Sequence, residues 1–188
     1  MITRSGTELI DPFKLLERVG LREDMRVADF GCGSLGHFVF PAAERVGGMG
    51  AVYAVDVQKG ALERIAKMAK DAQLFNITPV WSDFDVYRAA QIDDASLDLL
   101  LLVNNLMLSQ NHEQLVREMA RLTRPGGRIV VVDWTSGPSP FGPRPDQRIT
   151  PSSAKNLLLS PLMKFYDEFA AGPYHYGLIY LRTDEAVG

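Results

Sequence analysis

The chain has 188 residues, of which 46% are hydrophobic and 23% charged, with a formal net charge of −3. That length suits one three-layer core and leaves no room for a second substrate domain, and the composition excludes wholesale disorder. The acidic balance gives no general attraction to phosphate backbones or acidic membranes, so nucleic-acid binding is not expected.

Predicted elements alternate along the chain as strand and helix. Asp11-Pro12 opens a helix as N-cap and first-turn proline, Phe13, Leu15, Leu16 and Val19 line one face, and Gly20 ends it. A strand over Arg26 to Phe30 runs into Gly31-Cys32-Gly33, and a helix is expected from Ser34 to Gly47, distorted or delayed by Pro41. Ala51 to Val55 reads as a strand ending at Asp56, followed by a helix over Lys59 to Ala72 and a strand over Ile77 to Trp81. After a short segment around Val86 to Ala90, the apolar run Leu97 to Val103 reads as a central strand buried on both faces. Asp98 interrupts that run, which is too short to span a bilayer. Asn111 caps a helix through Arg124, Pro125-Gly126-Gly127 breaks it, and Arg128 to Val132 is the next strand. A stiff, irregular loop rich in proline follows over Thr135 to Arg148, and Thr150-Pro151 restarts a helix. Lys164 to Ala170 and Tyr174 to Arg182, parted by Ala171-Gly172-Pro173, read as an antiparallel hairpin. Residues 183–188 are expected to be loose. The sum is an α/β, Rossmann-like, doubly wound seven-stranded mixed sheet with a terminal antiparallel hairpin. The sequence does not fix the oligomeric state.

Chemistry concentrates where the first strand meets its glycines. Backbone without a side chain can turn sharply there and approach a ligand, and the following helix points free N–H groups at an anion. Asp56, with Val57 beside it, sits where a carboxylate accepts hydrogen bonds from ribose hydroxyls, or caps the next helix. Asn104 and Asn105 end a buried strand, which is costly for polar groups unless they face a cleft. Asp133, at the matching end of the following strand, is either a cleft residue or a strand-end cap. His112 reads as a helix-start residue, His37 as structural or rim. His175, in the aromatic hairpin, either packs or serves the site. Cys32 belongs to the cofactor loop, its side chain a small buried filler, since no basic residue lies within the turn to lower its pKa. One cysteine allows no internal disulfide and no metal cluster. With no apolar leader in the sequence, a reducing cytoplasm is expected.

These residues resemble a known family. Val27-Ala28-Asp29-Phe30-Gly31-Cys32-Gly33, Asp56, Ser82-Asp83-Phe84, Asn104 and Arg124-Pro125-Gly126-Gly127-Arg128 look like the successive motifs of class I S-adenosylmethionine-dependent methyltransferases, over nearly the whole chain. Val132-Asp133-Trp134 and Gly172-Pro173-Tyr174-His175-Tyr176-Gly177 are similar to the ubiquinone/menaquinone-biosynthesis-like branch acting on small molecules. The resemblance implies one S-adenosylmethionine-binding methyltransferase domain over residues 1–188, with helix 11–20 as a partial lid. It implies Asp29 for the methionine ammonium, Asp83 for the adenine amino group, Phe84 on or near the ring, and the Asn104 carbonyl for the ammonium. Asn105, Asp133 and His175 are left as catalytic candidates toward a small-molecule acceptor.

The family's third glycine is displaced. Leu35 stands in its place and Gly36 follows, so Gly31-x-Gly33-x-x-Gly36 also fits an NAD fingerprint. Asp29 argues against that reading, because a carboxylate just before the glycines repels a pyrophosphate yet pairs with an ammonium. A non-catalytic S-adenosylmethionine-binding module and an NAD-linked oxidoreductase are the alternatives to an enzyme. Phe141, Arg144 and Arg148 are either a lid or solvated.

Overall fold

The computed structural model describes residues 9–184. Segments 1–8 and 185–188, including most of the tail expected to be loose, lie outside the described residues. Five strands, β1 (Arg26–Phe30), β2 (Ala51–Asp56), β3 (Ile77–Trp81), β4 (Leu97–Val103) and β5 (Thr123–Trp134), run parallel. The hairpin β6 (Met163–Gly172) and β7 (His175–Arg182) closes the sheet antiparallel, in the order β3-β2-β1-β4-β5-β7-β6. This is the doubly wound mixed sheet the alternating pattern predicts.

The sheet alternation sends Val27, Leu99, Leu101 and Val130 to one face and Ala28, Leu100, Leu102 and Val131 to the other. Helices α1 (Pro12–Arg18), α2 (Val39–Val46) and α3 (Lys59–Asp71) cover the first face, and α4 (His112–Leu122) and α5 (Pro151–Leu157) the second. No helix among the described residues is long and apolar enough to cross a membrane.

Two boundaries differ from expectation. Helix α2 starts at Val39 instead of Ser34, which brings Pro41 into the first turn, where a missing N–H breaks no bond between helical residues. Pro125-Gly126-Gly127 does not separate α4 from β5 but lies inside the strand. The register jumps there from Leu97 opposite Thr123 to Leu99 opposite Arg128. A Cβ on Gly127 would stand 2.8 Å from the Arg124 carbonyl oxygen, so only glycine fits the bulge.

The segment around Val86 to Ala90 forms no regular element. Its amides are satisfied from below by Glu118 of α4, fully buried, which accepts from the amides of Arg88 at 2.7 Å and Ala90 at 3.2 Å. The same carboxylate takes Nε and Nη2 of Arg121 at 2.8 and 2.6 Å. Removing one partner of a buried ion pair leaves the other charge uncompensated. Glu118→Ala is therefore expected to lower unfolding stability by about 3 kcal/mol in urea titration.

Candidate functional site

The loop after β1 is fixed by side chains from its two neighbouring strands. The amides of Gly31 and Cys32 donate to the Val55 carbonyl at 2.8 and 3.1 Å. Asn105 turns its amide nitrogen onto the carbonyl oxygens of Phe30, Gly31 and Val103, at 3.1, 3.1 and 2.7 Å. A Cβ on Gly31 (φ +73°) would stand 2.4 Å from that amide group, so glycine here is required by both conformation and space. Gly33 (φ +63°) faces open space, with nothing within 4 Å of its Cβ position. Gly36 differs from both: a side chain there would strike Ile65 and Phe40, so the displaced third glycine serves the packing of α2 against α3.

Asp56 ties the end of β2 to this loop. Its Oδ2 accepts from the Gly33 amide and its Oδ1 from the Gln58 amide, both at 2.9 Å, and the residue is buried. Val57 is exposed, with its carbonyl accepting from Trp81 Nε1. Asp83 closes a turn on the Asp85 amide, and the Phe84 ring stacks on Phe30 at 6.4 Å, facing the second core. Asp85, which no pattern in the sequence singles out, binds Ser109 Oγ at 2.6 Å and the amides of Gln110 and Asn111. It joins the end of β3 to the loop that opens α4.

A cavity of about 220 Å³ lies over these strand ends, lined by Leu9, Ile10, Asp29, Gly31, Cys32, His37, Phe38, Val103 and Asn104. Asp29 is 3% exposed and no donor among the described residues reaches it. Burial first, and then the neighbouring Asp56 charge, push its carboxyl up to about 7. Burial, with Asp29 and Asp56 behind it, also pushes the Cys32 thiol well up, which suits a filler and not a nucleophile. Asn104 is held at φ +58° by its amide on the Val132 carbonyl, and its Oδ1 is buried without a partner. Above them, His37 Nε2 donates to the Ile10 carbonyl at 2.9 Å and fastens the segment before α1 across the cavity. The interior thus offers the Asp29 carboxylate and the Asn104 Oδ1 as acceptors.

The three catalytic candidates lie elsewhere. Asn105 spends its amide nitrogen on three carbonyls, which leaves only its Oδ1 for any other role. Asp133 is fully buried at the end of β5, accepting from the Trp134 amide at 2.8 Å, with its other oxygen unpartnered. Burial pushes it up to about 6 against the pull of the Trp134, Leu106 and Met107 amides. His175 packs 4.1 Å from the Trp134 ring, 1% exposed, with both nitrogens lacking partners, and burial lowers it to about 4. Neither lines the cavity. His112 starts α4 and its Nε2 meets the Leu106 carbonyl, as a helix-start residue should.

Arg148 is neither lid nor solvated. It is 8% exposed and donates to the carbonyls of Thr135, Gly137, Phe141 and Pro143, with its guanidinium 5.5 Å from the Trp134 ring centroid. One side chain staples the whole proline-rich loop. Phe141 and Arg144 remain at the surface.

A family profile described as a methyltransferase domain matches residues 21–157. Over 120 residues the chain is 31% identical to the aklanonic acid methyltransferase of Streptomyces sp. (strain C5), covering 63% of this chain and 53% of that protein. Over 127 residues it is 26% identical to the demethylmenaquinone methyltransferase of Geobacillus sp. (strain WCH70), covering 68% and 52%. The chain spans about half the length of these curated relatives. In fold it superposes on a crystal structure of a SAM-dependent methyltransferase from Aquifex aeolicus with a TM-score of 0.88, at 23% identity over 97% of this chain and 95% of the other.

Three substitutions test the loop and the hairpin. Gly33→Ala is expected to lower stability by about 1–2 kcal/mol, the cost of a left-handed alanine, whereas Gly31→Ala lowers it further through its clash with Asn105; thermal unfolding ranks the two. His175→Phe, which removes two buried unpartnered nitrogens, is expected to leave the melting temperature unchanged or raised.

Proposed function

Since the chain belongs to the methyltransferase-domain family, we propose that it is an S-adenosylmethionine-dependent enzyme that moves a methyl group to a small-molecule acceptor. In this reading residues 1–188 form one catalytic domain, with helix 11–20 as its partial lid, working in the cytoplasm. The single observation that carries it is the Asp29 carboxylate, nearly fully buried, without a donor among the described residues, and aimed into a cavity.

The residues fit the cofactor on their own chemistry. Asp29 and the unpartnered Asn104 Oδ1 together ask for a multi-donor cation, and an amino-acid ammonium is one. Asp56 keeps a free lone-pair direction on each oxygen after its two amide contacts, enough to accept from the ribose hydroxyls. Gly31, Cys32 and Gly33 would lie along the main-chain side, and Val57, Asp83 and Phe84 toward the adenine. An NAD pyrophosphate fits poorly beside two carboxylates.

When bound, the cofactor supplies an electrophilic methyl on a leaving group already activated as a sulfonium. The protein's work is then to hold donor and acceptor in line and exclude water. Leu9 and Ile10 line the cavity together with Asp29. His37, the histidine in its wall, uses Nε2 on the Ile10 carbonyl. An acceptor that is already nucleophilic needs positioning alone. The net charge of −3 and the relatives named for aklanonic acid and demethylmenaquinone support a small acceptor over nucleic acid.

Titration calorimetry with S-adenosylhomocysteine tests this reading, and no heat at millimolar ligand rejects it. Asp56→Ala is expected to weaken binding by about 1–3 kcal/mol through unpaired ribose hydroxyls. The pH dependence follows from Asp29. Its folded pKa lies above the ordinary 3.8, so the carboxyl is mostly protonated at pH 6 and ionises as pH rises through about 7. An ammonium favours the ionised form, so binding at pH 6 should release close to one proton, and affinity should rise toward pH 8. Calorimetry in buffers of different ionisation enthalpy reads the proton directly. Asp29→Asn should abolish the release.

A further inference from the structure

Asp29 and Cys32 are 3% and 8% exposed, so part of the wall around their cavity has to move before an adenosyl amino acid can reach the carboxylate. Most of that wall is fixed from the sheet. Gly31 and Cys32 hang on the Val55 carbonyl, Gly33 on Asp56 and Asn104 on the Val132 carbonyl, while Asp29 and Val103 sit within paired strands. The Leu9–Ile10 segment is held differently. Among the described residues its main chain makes one hydrogen bond, from His37 Nε2 to the Ile10 carbonyl at 2.9 Å.

The surroundings of the segment let it move without the rest of the fold. Behind it α1 is anchored, with Asp11 capping its first turn through the amides of Phe13 and Lys14 and Arg18 paired to Asp167 of β6 at its other end. Asp11 itself is extended (φ −76°, ψ 112°), so the two residues before it can pivot ahead of the helix. On the far side of Leu9 lies open space, a second cavity of about 490 Å³ between α1 and the end of the β6–β7 hairpin, which Leu9 also lines. The Ile10 side chain is buried in the core of the first face, which makes the position seen here the resting one. The His37 ring is set for its contact by an edge-on Phe38, with centroids 4.8 Å apart.

We propose that His37 is the latch of the Asp29 cavity: its hydrogen bond to the Ile10 carbonyl holds the Leu9–Ile10 segment closed, and ligand enters and leaves when that bond breaks and the segment swings into the space beside it. The proposal rests on the cofactor reading only for the identity of what passes. His37 acts through Ile10 and is a positioning residue. Because its bond goes to the main chain of the segment and not to the ligand, losing it speeds entry and exit alike and leaves the affinity nearly unchanged.

Two readouts on the full chain test it. Cys32, the one cysteine of the sequence, lines the cavity, so its rate of reaction with p-hydroxymercuribenzoate reports opening without any cofactor. Surface plasmon resonance gives the association and dissociation rates of S-adenosylhomocysteine. His37→Phe keeps a ring in the wall and removes the donor; it should raise the Cys32 reaction rate and both S-adenosylhomocysteine rates about fivefold, the worth of one hydrogen bond, with Kd within about twofold of wild type. His37→Gln, which keeps an N–H donor, should stay near wild type. Ala170→Trp, which takes up the neighbouring space from an exposed position, should slow all three rates. A loss of fold stability alone would not produce this pattern of opposite signs. Rates in His37→Phe equal to wild type, or a faster dissociation without faster association, overturn the latch. Absence of S-adenosylhomocysteine binding to the wild-type chain, with the Cys32 pattern intact, overturns the cofactor reading and leaves the latch in place.

Discussion

The arrangement depends on one sharp turn of main chain at the end of β1 and on how its polar groups are satisfied. A chain that leaves a buried strand and reverses beneath a cleft exposes carbonyls and amides that water cannot reach. Here Asn105 takes up the carbonyls from the β4 side, Asp56 takes an amide from the β2 side, and the Val55 carbonyl takes two more. The turn is rigid because strands on both sides hold it, and the cavity above inherits that rigidity.

Two buried acids show what this rigidity is for. Glu118 is buried with its cation, Arg121, and two amides, so its charge is balanced within the fold. Asp29 is buried just as deeply and brings no such partner among the described residues, while Asp56 nearby adds to the negative potential. The first arrangement stabilises the protein. The second makes it less stable as the carboxyl ionises, and the deficit is removed only by something that arrives with positive charge and donors.

The polar residues at the ends of β5 and β7 lie in a second buried layer. Asp133, Trp134, His175 and Arg148 form a layer under the proline-rich loop, where Arg148 gathers four carbonyls and lies against Trp134, which in turn packs on His175. They support the rim beneath that loop.

Most of the fold was legible in the sequence. The strands have one-sided or fully apolar patterns, the caps at Asp11, Asn111 and Thr150 carry the side chains that bind the first amides, and the glycines after β1 mark the turn. Asn104 could be named because a polar residue at the end of a buried strand must meet something, and Asp29 because the motif before the glycines resembles that of a known family. Local pattern could not tell which polar side chains would be consumed by the protein itself, because hydrogen bonds such as those of Asn105 to Phe30 and Gly31, 75 and 74 residues away, exist only once β1 and β4 are paired. The same holds for Asp85, for the bulge at Pro125-Gly126-Gly127, and for Gly36, whose neighbour Ile65 lies on another helix. Periodicity and composition determined the elements and the place of the cleft, since those follow from each residue's own preference for water or burial. Packing between distant segments decided which acids and amides remained free to serve a ligand.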